Sequence, residues 1–141
     1  MKIAVDFDGT IVEHQYPEIG PEQLFAFETM RQLQKKGHNL ILWTFRTGSR
    51  LDQAVEFCKE RGVEFYAINA SYPGEVLTTD TSRKLDVELF IDDRNFGGFP
   101  GWSEIWEAIG DRKSYNPEDP RQAMIKEIRK MSFRQRLKIL F

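Results

Sequence analysis

The chain is poor in the features that would mark it as secreted, membrane-bound or disordered. It has one cysteine, Cys58, in 141 residues, so no internal disulfide framework is available and a reducing compartment is expected. No apolar run approaches the ~20 residues of a membrane span. The first apolar stretch, Ile3-Ala4-Val5, meets Asp6 too soon for a signal peptide. Formal net charge is only −2, from 20 basic and 22 acidic residues, so no overall basic field points to nucleic acid. Internal repeats and low-complexity segments are absent. What is present is a sequence 40% hydrophobic and 13% aromatic, enough for one sizeable core and too much for a disordered chain. The expectation is a cytoplasmic globular protein.

The charge is unevenly placed. Residues 121–141 hold seven basic residues and one acidic, a net +6, which leaves −8 on the first 120. Asn116-Pro117-Glu118-Asp119-Pro120 has two prolines and no apolar residue and reads as a linker. The expected division is a globular domain over 1–115 and a linker with a basic, helical tail over 116–141. Met124, Ile128 and Met131 form one stripe of that tail, a surface for its own domain, a partner or a second copy of the chain.

Four short apolar runs read as strands: Ile3–Val5, Leu40–Trp43, Val63–Ile68 and Val87–Ile91. Three of them are nearly continuous, as strands covered on both faces are. Helical stripes separate them. Ala26, Phe27, Met30 and Leu33 form the first, with Gly37 as its left-handed terminator. Leu51, Ala54, Val55 and Cys58 form the second, with Ser49 and Asp52 as a capping box and Gly62 at its end. Trp102, Ile105, Trp106 and Ile109 form the third, before Gly110. A long loop lies between the third and fourth strands. The order predicts an α/β, Rossmann-like three-layer fold, a mostly parallel sheet with helices on both faces.

The residues that carry chemistry stand at strand ends. The first strand runs into Asp6-Phe7-Asp8-Gly9-Thr10, the second into Thr44-Phe45-Arg46-Thr47-Gly48, and the last into Asp92-Asp93, with Lys84 in the loop before it. In a parallel sheet such ends share one edge, where ligands bind. Two like charges ~5 Å apart repel by roughly 3 kcal/mol at an effective dielectric of ~20. Asp6, Asp8, Asp92 and Asp93 gathered there require compensation, and a hard cation with oxygen ligands, Mg²⁺ above others, supplies it together with Lys84. Arg46 is a candidate grip on a substrate anion. Glu13, His14, Gln15 and Tyr16 follow the first motif and would overhang the site, although a lone loop His is more often solvated.

Asp6-Phe7-Asp8-Gly9-Thr10-Ile11-Val12, then Thr44, Lys84 and Ile91-Asp92-Asp93, in that order, resembles the haloacid dehalogenase superfamily. The resemblance implies that Asp6 is a nucleophile forming an aspartyl-phosphate. It implies that Asp8 is the acid and then the base, and that Thr44 and Lys84 bind phosphate. It places Mg²⁺ on the Asp6 carboxylate, the Asp8 backbone carbonyl and Asp92, with Asp93 as a further ligand or behind them. An acid at Asp8 favours hydrolysis of a phosphate monoester, small or large, over dehalogenation or ion transport. Only eleven residues, 13–23, separate the first motif from the first helix, so no cap domain fits. No fifth strand of the family sheet is evident after Gly97-Gly98. The competing reading is a catalytically weak phosphate-binding or regulatory module whose basic tail docks a partner. A third is an accessory domain meeting nucleic acid or a membrane through that tail, which a −8 body disfavours for nucleic acid.

Overall fold

A computed structural model of the chain describes residues 1–111 together with Lys130 and Gln135. The 116–141 linker and basic tail, and the tail's apolar stripe, lie outside the described residues apart from those two.

The elements alternate as β1 (Lys2–Val5), α1 (Ala26–Lys35), β2 (Asn39–Leu42), α2 (Gly48–Glu60), β3 (Ala67–Ile68), β4 (Leu89–Ile91) and α3 (Trp102–Ile109). The four strands form one sheet in the order β3-β2-β1-β4, and every pairing is parallel. The architecture is the expected three-layer α/β arrangement, with no cap among the described residues. None of the described helices is long and apolar enough to cross a membrane.

Register positions the site. Val5 pairs with Leu42 on one side and with Ile91 on the other, and Leu42 pairs with Ile68. The strands therefore end level, and the next residues of each, Asp6, Trp43, Asn69 and Asp92, emerge along one edge. The strand order reverses between β1 and β4, and the crevice of an open α/β sheet opens at such a point.

Alternation sorts the strand side chains into two layers. Ile3, Val5, Leu40 and Leu42 join the main core with Phe27, Met30 and Leu33 of α1, Ala54 and Cys58 of α2, and Trp102, Ile105 and Ile109 of α3. The other face carries Ala4 and Ile41, packed with Ala67 and Leu85 and flanked by Trp43, Val87 and Phe90. Among the described residues the cover on this face is the 69–88 connection, the long loop expected between the third and fourth strands. Pro73, Gly74 and the β-branched Thr78, Thr79 and Thr81 explain its lack of helix.

The α1 stripe is buried as its spacing requires, and Gly37 follows at φ 88°. Cys58 is a buried core thiol, its pKa pushed up to about 12 by loss of water contact. Three local expectations need correction. The third strand is two residues long, because Val63 turns inward to the helical core while its N–H terminates α2 on the Cys58 carbonyl at 3.0 Å. The fourth strand begins at Leu89 rather than Val87. Ser49 lies inside α2, which starts at Gly48 after an extended Thr47 with no side-chain cap. Among the described residues no fifth strand follows Gly97-Gly98.

Candidate active site

The chain leaves β1 through a tight loop. The N–H groups of Thr10, Ile11 and Val12 all point to the Phe7 carbonyl, at 3.3, 2.9 and 3.2 Å, and Gly9 N–H donates to the Val12 carbonyl at 2.7 Å. Phe7 drops into the core, which leaves Asp6 and Asp8 on the opposite parity. The indole N–H of Trp102 donates to the Thr10 carbonyl at 2.8 Å, so the first turn of α3 anchors this loop from below.

Asp6, Asp92 and Asp93 come together. One carboxylate oxygen from each lies within 4.8 Å of the others. Thr10 ties two of them: its hydroxyl donates to Asp6 Oδ2 at 3.3 Å and accepts from Asp93 N–H at 3.1 Å. Asp92 Oδ1 accepts from Arg94 N–H at 2.8 Å. Asp93 Oδ1 is buried without a hydrogen-bond partner. Burial pushes the Asp6 carboxyl up to about 7, and the neighbouring Asp92 and then Asp93 charges add to the rise. Three crowded carboxylates, one with an orphaned buried oxygen and one resisting ionisation, fit a hard divalent cation held by oxygen ligands.

Gly9 is required by that crowding. Its φ is 88°, and a methyl built on its Cα would overlap the Asp93 carboxylate. Gly9→Ala is expected to destabilise the fold by about 1–3 kcal/mol and to push Asp93 out of the cluster. Thermal unfolding checks this; a melting temperature equal to that of the parent would contradict the close approach.

Asp8 has a different partner. Arg46 grips its carboxylate with two N–H groups, Nε to Oδ2 and Nη2 to Oδ1, both at 2.7 Å. The Arg46 side chain is wholly buried and that of Asp8 only 12% exposed. The guanidinium also donates to the carbonyls of Pro17 at 3.1 Å and Glu18 at 2.8 Å, and lies 5.0 Å over Phe7 and 5.3 Å over Tyr16. Arg46 is therefore not an exposed grip on a substrate anion; four of its five N–H donors go to Asp8 and the 17–18 backbone. The Asp8 carboxylate stands with Arg46 and outside the three-carboxylate cluster.

Thr44 follows β2 where its strand stops. Its N–H donates to Asn69 Oδ1 at 2.8 Å, and its Oγ1 accepts from Arg46 N–H at 3.2 Å. With the hydroxyl oxygen accepting, its proton is left to donate. Asn69, at φ 49°, holds this loop, a role invisible in sequence because an Asn after a strand has many uses.

A cleft of about 510 Å³ spans the edge. Asp6, Asp8, Thr44 and Asp92 line it, joined by His14, Tyr16, Trp43, Phe45 and Arg94. His14 and Tyr16 thus overhang the site as expected. Trp43, Phe45 and Arg94 were not singled out from the sequence; their place directly beside motif residues was the available signal. Lys84 does not reach the cleft lining. It is exposed beside Leu85, whose burial against Ala4 and Ile41 pins this part of the connection to the sheet face.

A solved structure of a conserved protein coded by a locus of Bacteroides thetaiotaomicron is 57% identical to this chain. It superposes with a TM-score of 0.75 over 81% of this chain and 93% of that one. The chain belongs to the same family as that protein. No protein-family model matches the sequence, and no curated protein does.

Proposed function

We propose that this member of the Bacteroides protein's family is a divalent-cation-dependent phosphatase that hydrolyses a phosphate monoester through an aspartyl-phosphate, in the manner of the haloacid dehalogenase superfamily. The observation that carries the reading is the convergence of Asp6, Asp92 and Asp93 in the cleft that Asp8 and Thr44 also line.

Each residue has a role that its surroundings allow. Asp6 attacks phosphorus in line. Its oxygen–phosphorus bond forms as the bond to the ester oxygen breaks, dividing one difficult hydrolysis into two steps. Asp8 passes to the departing oxygen a proton brought by the substrate's phosphate monoanion, then takes one from the water that attacks phosphorus and cleaves the aspartyl-phosphate, which releases inorganic phosphate and restores Asp6. Arg46 occupies one lone-pair position on each Asp8 oxygen, and a carboxylate has about four, so proton traffic remains open. Thr44 directs its hydroxyl proton at a phosphoryl oxygen. Asp6, Asp92 and Asp93 would hold the cation, Mg²⁺ by its preference for few carboxylates and phosphate oxygens. When bound, that ion neutralises the cluster and draws charge from the phosphoryl group. Arg94 is the cation that the cleft lining itself presents, in the part first assigned to Lys84.

The test is turnover of a generic aryl phosphate by the purified protein. Activity is expected with Mg²⁺, none in chelator, and full recovery on adding the ion back. Mg²⁺ at 100 times its Kd should also stabilise the fold by about 2.7 kcal/mol, read as a rise in melting temperature. Undiminished activity after exhaustive chelation, or no effect of Mg²⁺ on activity or melting, overturns the reading.

A further inference from the structure

Three aromatic side chains share the cleft with the acidic residues: Tyr16, Trp43 and Phe45. Phe45 is 90% exposed and Tyr16 45% exposed. Single exposed apolar residues are ordinary on a protein surface. Here they stand in the cavity that contains Asp6 and Asp8, and Phe45 is the residue directly after Thr44. The Tyr16 ring is backed by the buried Arg46 guanidinium, which is itself fixed by four hydrogen bonds. Trp43 is partly buried, its side chain packed against the sheet core, and its backbone N–H donates to the Val5 carbonyl at 2.9 Å. Two of the three rings therefore have fixed supports, and a site that is already formed binds without the cost of ordering itself. The volume, about 510 Å³, lies within the ~300–1,000 Å³ of small-molecule sites.

We propose that the leaving group of the substrate carries a planar aromatic or heteroaromatic ring, received by Tyr16, Trp43 and Phe45 while its phosphate faces Asp6. Sugar phosphates and other alkyl esters lack the flat face that these rings offer. The proposal rests on the phosphatase reading for the identity of the phosphate end. Its ring end stands on the aromatic lining alone, so the two are separable by experiment.

Benzyl phosphate and cyclohexylmethyl phosphate suit the test. Both are esters of primary alcohols of similar size, so leaving-group basicity is close, ring planarity differs, and the Phe45→Leu comparison cancels the small remaining difference in basicity. With the Mg²⁺-loaded full chain, kcat/KM is expected to favour the benzyl ester roughly tenfold, the scale of aromatic pairing. Phe45→Leu should bring that ratio toward one. Because Phe45 is exposed, its melting temperature should match the parent's. The corresponding phosphonates, which cannot be hydrolysed, are titrated in parallel by calorimetry. Equal hydrolysis of the two esters, or a ratio untouched by Phe45→Leu, overturns the aromatic site and leaves the phosphatase reading standing. No hydrolysis of any ester together with tighter binding of the benzyl phosphonate supports the ring site and rejects the phosphatase reading. No hydrolysis and no binding preference rejects both.

Discussion

Asp6→Asn is expected to lower phosphate-ester turnover by roughly 10⁴-fold or more, the scale of removing a nucleophile while binding remains, and to leave the chain folded. Asparagine matches aspartate in size but is a poor nucleophile and a weaker cation ligand. The same variant should be the more stable protein in chelator, with a pH dependence set by the Asp6 carboxyl. That group titrates near 7 in the folded chain against an ordinary 3.8. A carboxyl whose folded pKa is raised contributes stability that is fully present below the unfolded value and lost as pH rises through the folded value. Asparagine carries no such loss. Its advantage over the parent should be small near pH 4, grow through pH 5 and 6, and level off above pH 7 at the order of 4 kcal/mol, from 1.36 kcal/mol per pKa unit. Urea unfolding in chelator at pH 4, 6 and 8 measures it. An Asp6→Asn protein that turns over phosphate esters at the parent's rate rejects the nucleophile assignment. A stability difference that is flat with pH rejects the electrostatic account of the cluster.

The second large effect is expected at Arg46. Arg46→Met keeps much of the apolar length and removes every donor. Asp8 then keeps a mostly buried charge without its partner, and the Pro17 and Glu18 carbonyls lose theirs. Breaking a buried pair in this way costs about 3–5 kcal/mol. Turnover should fall by roughly 10²-fold as well, because Asp8 is no longer held in place. Arg46→Lys should recover only part of either quantity, since one ammonium cannot reproduce a two-pronged grip and two carbonyl contacts. Adding Asp8→Asn to Arg46→Met should cost much less than the sum of the single changes, because the stranded charge goes with it. Denaturant unfolding of the four proteins closes the cycle. A loss below 1 kcal/mol for Arg46→Met, or simple additivity, contradicts the pairing.

These two residues also mark where sequence reading stops. Asp6 was legible because it follows a continuous apolar strand and precedes Asp8-Gly9-Thr10. Strand periodicity and a turn glycine put it at a sheet edge whatever the rest of the chain does. Asp92-Asp93 and Thr44 were legible for the same reason. Arg46 was read with the wrong neighbour. Two residues past a strand end it looked available to a substrate, and nothing local records that Asp8, 38 positions earlier, turns toward it. Lys84 sits in a loop whose path depends on where Leu85 finds cover, and Leu85 finds it on the sheet face against Ala4 and Ile41.

The sequence by itself determined the alternation of strand and helix, the helical core stripe Ala26-Phe27-Met30-Leu33, and the placing of acidic residues at strand ends. All of these are written in spacings of a few residues. The tertiary structure decided the rest. Parallel register brought Asp6 level with Asp92, across 86 positions of chain. Crowding between Asp93 and Gly9 made a glycine obligatory. Burial raised the Asp6 carboxyl toward 7 and enclosed Arg46 with Asp8. Charge pairing, desolvation and shared cleft walls depend on distances between segments remote in sequence, and local spacing holds no measure of those distances.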